Sequence, residues 1–335
     1  MHNVLTLRWQ KIAGLLAALL CLAAFVFSSI VFGVADISLR TIIESFVAFN
    51  GSQEHLIIQT ARWPRALIAA AVGAALAVAG MLMQGITRNP LASPSLFGIN
   101  AGAAFFIVAG VAFFGASGLS TMATLAFIGA ACTAAVVYIL GSIGTDGLTP
   151  LKITLAGAAL TSFFSSLSLG LLLTGGQTFD QVLIWFVGSV SGRDIHIFNA
   201  AAPFMGVALL GAIVLSRHMN VLALGDDIAA GLGQKTAYIK LAAAIIIVLL
   251  AGGSVSMAGP IAFIGIIVPH LTRYLVGNDY RWCIPYCILL GSNLLLAADI
   301  GSRFISYPKE LPVGVMTAII GIPFFVYIAR KGGKA

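Results

Sequence analysis

The sequence predicts an all-α polytopic membrane protein, organised as one transmembrane domain over residues 1–335. Three observations carry that prediction. Of its 335 residues 60% are hydrophobic and 9% charged, where soluble globular domains carry about 25% charged residues. Mean hydropathy is +1.04, more apolar surface than a water-soluble core could absorb. Apolar runs of membrane-spanning length also recur along the whole chain, separated by short polar stretches. The net charge of +7 is therefore no nucleic-acid signal. Short-looped membrane proteins collect such a charge on their cytoplasmic side.

The first apolar run, about residues 12–34, is too long for a signal-peptide core and reads as a span. A polar segment follows, with Leu39, Ile42, Ile43, Phe46 and Val47 at helical spacing, which predicts a surface helix. Span two opens at Arg62-Trp63-Pro64-Arg65, with Pro64 suited to a first helical turn. Its interior carries Ala69, Gly73, Ala77 and nearby Gly80, a face that lets another helix approach closely. It ends at Gln84 and leads into Arg88-Asn89-Pro90-Leu91-Ala92-Ser93-Pro94. Backbone of that kind is tolerated at a membrane surface or against a water-filled cavity.

Spans three (about 96–113), four (121–142) and five (ending near Leu173) follow, the last after a turn from Gly144 to Pro150. Residues 174–196 are mixed, with a Gly175-Gly176-Gln177 loop and an irregular, partly buried re-entrant piece from Trp185 to Gly192. Span six is about 197–215 and span seven about 237–252, closed by Gly252-Gly253-Ser254. Span eight, Pro260 to Leu271, holds about 12 residues, which at ~1.5 Å each cannot cross a ~30 Å hydrocarbon core. It must pack inside protein. Spans nine (about 283–302) and ten (312–330) complete the set. Ten spans put both termini on one side. With the termini inside, Lys and Arg divide 12 cytoplasmic to 6 outer, summing to the 18 present, the expected bias.

Between spans six and seven lies Ser216 to Lys240, the longest stretch of the second half that could not sit in lipid. Leu222, Ala223, Leu224, Ile228, Ala229 and Leu232 recur at helical spacing, Gly225 and Gly233 punctuate the run, and Asp226 and Asp227 fit a helical first turn. The pattern predicts one or two short helices outside the membrane with an apolar face. Two readings stand: an amphipathic connector resting on lipid, or a docking surface for a soluble partner.

Candidates for chemistry are few. Asp299 is the one carboxylate placed for ion coupling at membrane depth, but it lies four residues before Arg303, a spacing that suits a structural pair. Gly231 to Thr236 imitates a phosphate-binding loop with the wrong glycine spacing. Ser189 and His196 are weak candidates for a hydrolase pair. Cys21, Cys132, Cys283 and Cys287 fall in apolar runs with no metal-ligand companions, so no metal or cofactor is expected. Arg62, Arg65 and Arg303 remain on the outer side. Interfacial snorkelling is one reading and an anionic docking partner the other.

The runs Arg62-Trp63-Pro64-Arg65, Gln84 with Arg88 to Pro94, Leu155-Ala156-Gly157, Leu222 to Gly225 with Ala229 and Leu232-Gly233, Phe263-Ile264-Gly265 with Pro269 to Arg273, Ala298-Asp299 with Arg303, and Glu310 to Gly314 occur in this order over the whole chain. In them the chain resembles the permease subunits of bacterial type II ABC importers for iron-siderophores, haem and cobalamin. The resemblance implies a cobalamin-importer-permease-like fold of ten transmembrane helices, with a short re-entrant or periplasmic helix between spans five and six. It implies a second permease subunit, identical or paralogous, a cytoplasmic ABC ATPase dimer that hydrolyses the ATP, and an extracytoplasmic substrate-binding protein. By the same resemblance residues 216–236 hold the cytoplasmic coupling helices, with Leu222, Ala223, Leu224, Gly225, Ala229, Leu232 and Gly233 meeting the ATPase. Arg62, Arg65 and Arg303 would receive the binding protein. Asn89 and Leu91 would form one cytoplasmic gate, Thr149 and Pro150 a second. Ferric siderophore is the favoured substrate, haem and cobalamin the alternatives, and an ion-coupled secondary transporter the rival class.

Overall fold

A computed structural model describes residues 3–33, 37–143, 149–174, 185–305 and 310–332. The Gly175-Gly176-Gln177 loop, most of the Gly144–Pro150 turn and Lys309 lie outside the described residues. Among the described residues every regular element is a helix. The helices are α1 (Arg8–Val31), α2 (Leu39–Val47), α3 (Gln53–Ile57), α4 (Trp63–Thr87), α5 (Ile99–Phe114), α6 (Leu119–Ser142) and α7 (Pro150–Thr174). They continue as α8 (Ile195–Leu222), α9 (Asp226–Gly231), α10 (Thr236–Ala258), α11 (Ile264–Val276), α12 (Tyr280–Ile305) and α13 (Val313–Gly332). Among the described residues seven helices are long and apolar enough to cross a membrane, and α5, α11 and α13 are shorter apolar helices.

Helix α4 is the axis. Every residue from Val72 to Thr87 is buried, as expected of a helix apolar all round. It packs on α12, α10, α11 and α8. The small-residue face read from the sequence lies at these contacts: Gly73 meets the Gly291 carbonyl of α12, and Gly80 meets Gly265 of α11. A Cβ at either position would collide with backbone. In lipid, where burying an apolar side chain gains little, such close approach supplies the attraction between helices. Polar stitches add to it. Ser292 Oγ donates to the Ala70 carbonyl at 2.7 Å, and Asn293 Nδ2 to the Ala18 carbonyl of α1 at 3.0 Å.

Several boundaries differ from the sequence reading for physical reasons. Gly252-Gly253-Ser254 does not end a helix. α10 runs on to Ala258 because Gly253 makes room for Met205 of α8. Pro64 sits in the first turn of α4, as expected, but that turn is not a free helix start. Helix continues from Gln53 through a π turn, Ile58–Arg62. Pro64 has no N–H for the Thr60 carbonyl, so the ladder widens there. Helix α8 extends to Leu222, so Ser216, Arg217, His218 and Asn220 belong to its last two turns. The short eighth helix is α11, shifted to Ile264–Val276, with Ile264 to Pro269 buried as its length demanded. Helix α2 forms as expected, capped by Ser38, whose Oγ accepts from the Thr41 N–H at 3.2 Å.

The described part of the mixed region, from Trp185, is irregular. Trp185 is buried, the Ser189 N–H donates to the Ala258 carbonyl at 2.8 Å, and the Gly314 N–H to the Gly188 carbonyl at 3.1 Å. This segment closes one end of the bundle between α10 and α13.

Candidate functional site

Two polar assemblies sit at opposite ends of α4. At its start the expected trio of arginines is folded inward. The Arg62 Nη1 donates to the carbonyls of Ile30 and Val31, each at 2.8 Å. The Arg303 Nη1 donates to those of Ser29 at 2.7 Å and Phe32 at 2.6 Å, and its Nη2 to Ser29 Oγ at 2.7 Å. The two guanidiniums thus satisfy the orphan carbonyls at the end of α1, where the helix dipole also favours cations. Both residues are buried, which differs from the open outer surface expected of them.

Arg65 stands differently. Its Nε and Nη2 grip Asp299 Oδ1 at 3.0 and 2.9 Å, and its Nη1 donates to Glu310 Oε2 at 2.6 Å. Asp299 also accepts from Arg303 Nη2. Its side chain is 1% exposed, whereas the Glu310 side chain is 25% exposed. A carboxylate held between two guanidiniums is committed to structure, which answers the ion-coupling reading of Asp299. The Ser191 Oγ donates to Glu310 Oε2 at 3.3 Å, completing a surface-reaching edge of the network. Ser189 and His196 form no pair. Ser189 Oγ accepts from the Ser191 N–H, and the His196 N–H donates to Asp194.

At the other end α8 stops at Leu222, and a turn through Gly225, at φ 126°, starts the six-residue α9. Leu222 and Ala229 are fully buried and seat this helix on the bundle. Leu224 before the Gly225 turn, Ile228 within α9 and Leu232 at its C-cap are 59%, 55% and 66% exposed. Ala223 and Gly233 are exposed beside them and Gly225 is half-buried. The seven positions expected to meet a partner therefore divide into anchors and a projecting apolar knob. Asp226 and Asp227 occupy the first turn as expected. Asp226 is paired to Arg88 Nη2 and to Lys240 Nζ, each at 3.1 Å.

Next to Arg88 lies the segment expected to gate a pathway. Asn89 Oδ1 accepts from the Leu91 N–H at 2.9 Å, and its carbonyl from the Ala92 N–H at 3.0 Å, a side-chain turn that fixes the bend. Asn89 is exposed and Leu91 half-buried. Behind them Gln84 Nε2 donates to the carbonyls of Gly265 at 3.1 Å and Ala92 at 3.4 Å, and its Oε1 accepts from Arg273. Thr149 caps α7, its carbonyl accepting from the Ile153 N–H at 3.2 Å. The side chain of Pro150 lies outside the described residues. The start of α12 belongs to this end too. Asn220 Nδ2 donates to Asp279 Oδ1 at 2.7 Å, and the neighbouring Arg281 guanidinium holds the Asp279 carboxyl down at about 2.

Gln84, Arg88, Asp226, Arg273 and Glu310 take partners that their local sequence does not name. The available signal was polarity itself, since a polar side chain inside an apolar run needs a partner.

Among the described residues no group of three His, Cys, Asp or Glu is placed to hold a metal. The assemblies at the two ends offer donors, ion pairs and an apolar knob, which are means of docking and movement. The family model described as the FecCD transport family matches residues 20–331. The chain is 52% identical over 320 residues to the Bacillus subtilis (strain 168) "Probable siderophore transport system permease protein YfiZ", covering 96% of each chain. It is 39% identical to the ferric enterobactin transport system permease protein FepD of Escherichia coli (strain K12), covering 98% of this chain and 97% of FepD. The solved "inward-facing conformation of a putative metal-chelate type ABC transporter" superposes with a TM-score of 0.83 at 28% identity, over 95% of this chain and 98% of that one. This chain belongs to the FecCD transport family.

Proposed function

We propose that the chain is the permease subunit of an ATP-driven importer that takes up ferric siderophores by alternating access. In this reading ten helices cross the cytoplasmic membrane of a bacterium, the seven long ones together with α5, α11 and α13. Both termini face the cytoplasm. A second permease subunit completes the pathway, an ATPase dimer binds at the α9 end, and a substrate-binding protein docks at the arginine end.

The observation that carries the reading is the exposed apolar trio of Leu224, Ile228 and Leu232 on and around the six-residue α9. It lies about 35 Å along α4 from Arg65, at ~1.5 Å per residue. An exposed apolar patch rimmed by charge marks a protein partner. The chain itself performs no covalent chemistry. Nucleotide-driven motion of the partner would move α9, and the helices would pass that motion to the gate at Asn89 and Leu91. The names of the relatives, siderophore and ferric enterobactin permeases, support the substrate class.

On the outer side, Arg65 is the arginine a partner's carboxylate can reach, by displacing the half-exposed Glu310. Arg62 and Arg303 hold the end of α1 and shape the surface from below. The decisive measurement is uptake into proteoliposomes carrying this permease, its ATPase and its binding protein. Ferric siderophore should accumulate with ATP and stop without it. Accumulation driven by a proton gradient in the absence of ATP overturns the proposal.

A further inference from the structure

Arg88 ends α4 in the left-handed conformation, at φ 48°, as one of two non-glycine residues with positive φ among the described residues. Side chains resist that conformation, and a glycine would satisfy the turn without strain. With arginine there, the guanidinium reaches out from the end of α4 to Asp226, the first residue of α9, at 3.1 Å. Asp226 is held from its other side by Lys240 of α10, also at 3.1 Å. Lys240 is buried, while Arg88 and Asp226 are half-exposed.

A cleft opens on the Arg88 side of this pair. Helix α9 rests on α8 and α10. Between the end of α4, the turn at Ala223 and the α11–α12 junction lies a cavity of about 270 Å³, bordered by Gln84, Arg88, Pro90, Ala223, Arg273 and Tyr280. The end of α4 thus meets α9 through a side-chain bridge beside open space, with room for the two to move relative to each other. The next residue along from Arg88 is Asn89, whose side chain fixes the bend of the gate segment.

We infer that the Arg88–Asp226 ion pair, anchored by Lys240, is the link through which displacement of the knob helix reaches the Asn89–Leu91 gate. Arg88 and Asp226 are positioning residues that touch neither substrate nor nucleotide. This rests on the permease reading above. Moving α9 drags Asp226, the carboxylate pulls the guanidinium, and the end of α4 turns the gate segment with it. Lys240 ties the same carboxylate to α10, so α9 cannot swing free of the bundle without breaking a buried cation's contact.

The test uses the assembled transporter in proteoliposomes, reading ATP hydrolysed per siderophore moved and ATPase co-purification. Arg88→Gln and Asp226→Asn should each raise the ATP cost per transported molecule by about tenfold, within the range of measured coupling between sites. The ATPase should still co-purify with Arg88→Gln. The double variant should be no worse than Asp226→Asn alone, since both substitutions remove the same Arg88–Asp226 contact. Arg88→Lys, which keeps the charge, should restore most of the coupling, and it serves as the readout if Arg88→Gln does not insert. An unchanged ratio in the single variants, additive losses in the double, or loss of the ATPase from Arg88→Gln overturns the inference while leaving the permease reading intact. Failure of the wild-type chain to bind an ATPase or to transport with ATP overturns both.

Discussion

Asp299 lies beneath two guanidiniums in a site that admits almost no water. A buried ion pair contributes little net stability while intact, but removing one charge leaves the others uncompensated at a cost of about 3–5 kcal/mol. Asp299→Asn should therefore lower the melting temperature in detergent far more than Glu310→Gln, whose carboxylate is partly exposed. Glu310→Gln has a different expected effect in the proposed importer. It releases the Nη1 of Arg65 while Asp299 keeps the rest of the guanidinium in place, so binding-protein affinity should rise roughly fivefold, the worth of ~1 kcal/mol for a partly exposed pair. Unchanged affinity, measured by titration at low salt, would remove Arg65 from the docking surface. At the other end Asp279 carries a pH dependence. Its carboxyl lies at about 2 in the fold against about 3.9 unfolded, so its contribution is present above pH ~4 and is lost as pH falls toward 2. Asp279→Asn should flatten that limb of a melting-temperature-against-pH curve. The i, i+4 pairing of Asp299 with Arg303 was legible in the sequence because helical spacing is local. The grip of Arg65, 234 positions away in the chain, was not, since no local rule connects residues brought together by packing.

Helix α9 shows what an element pattern can and cannot reveal. The spacing of Leu222, Leu224, Ile228, Ala229 and Leu232 announced an apolar helix outside lipid. Periodicity could not say which apolar residues face in, because a helix of six residues has no unambiguous inner face until it is seated. The structure separates them, and the separation is testable. Leu224→Asp, on the 59% exposed knob, should insert and melt like wild type but lose ATPase co-purification. Leu222→Asp, fully buried, should lose stable folding itself, since an unpaired charge would enter the core. If both variants kept the ATPase, the knob assignment would be wrong. The small-residue face of α4 was legible for the opposite reason. Small residues at i, i+4 spacing, as at Ala69, Gly73 and Ala77, imply close helix contact in an apolar run whatever the partner. The same logic misled at Gly252-Gly253, where glycine was read as a terminator and serves as a packing surface against Met205.

Across the whole molecule the arrangement is polar at two ends and apolar between, with one rod, α4, running from Arg65 to Arg88. Three observations fix which chain segments share an end. Lys11 Nζ donates to the Val276 carbonyl at 2.8 Å, and Asn220 binds Asp279, so the start of α1 lies with the knob helix. Glu310 and Gly314 contact Ser191 and Gly188, so α13 begins at the arginine end and runs toward the knob end. Both described ends of the chain therefore lie with the knob, in keeping with the charge bias that put both termini inside. Sequence could reach this only by counting spans and assigning cations, a count that a single misread loop would invert. The remaining step, which end meets the cytoplasm, has a direct test. In a variant with Cys21, Cys132, Cys283 and Cys287 replaced, single cysteines at Leu232 and Ser191 report the two ends. Both native residues are exposed, so accessibility depends on sidedness alone. A membrane-impermeant maleimide added to cells made permeable in their outer layers, with the cytoplasmic membrane intact, should label Ser191→Cys and spare Leu232→Cys. Breaching the cytoplasmic membrane should then expose Leu232→Cys. The reverse pattern would place the knob outside, beyond the reach of any ATPase, and the pathway would have to be driven from somewhere else.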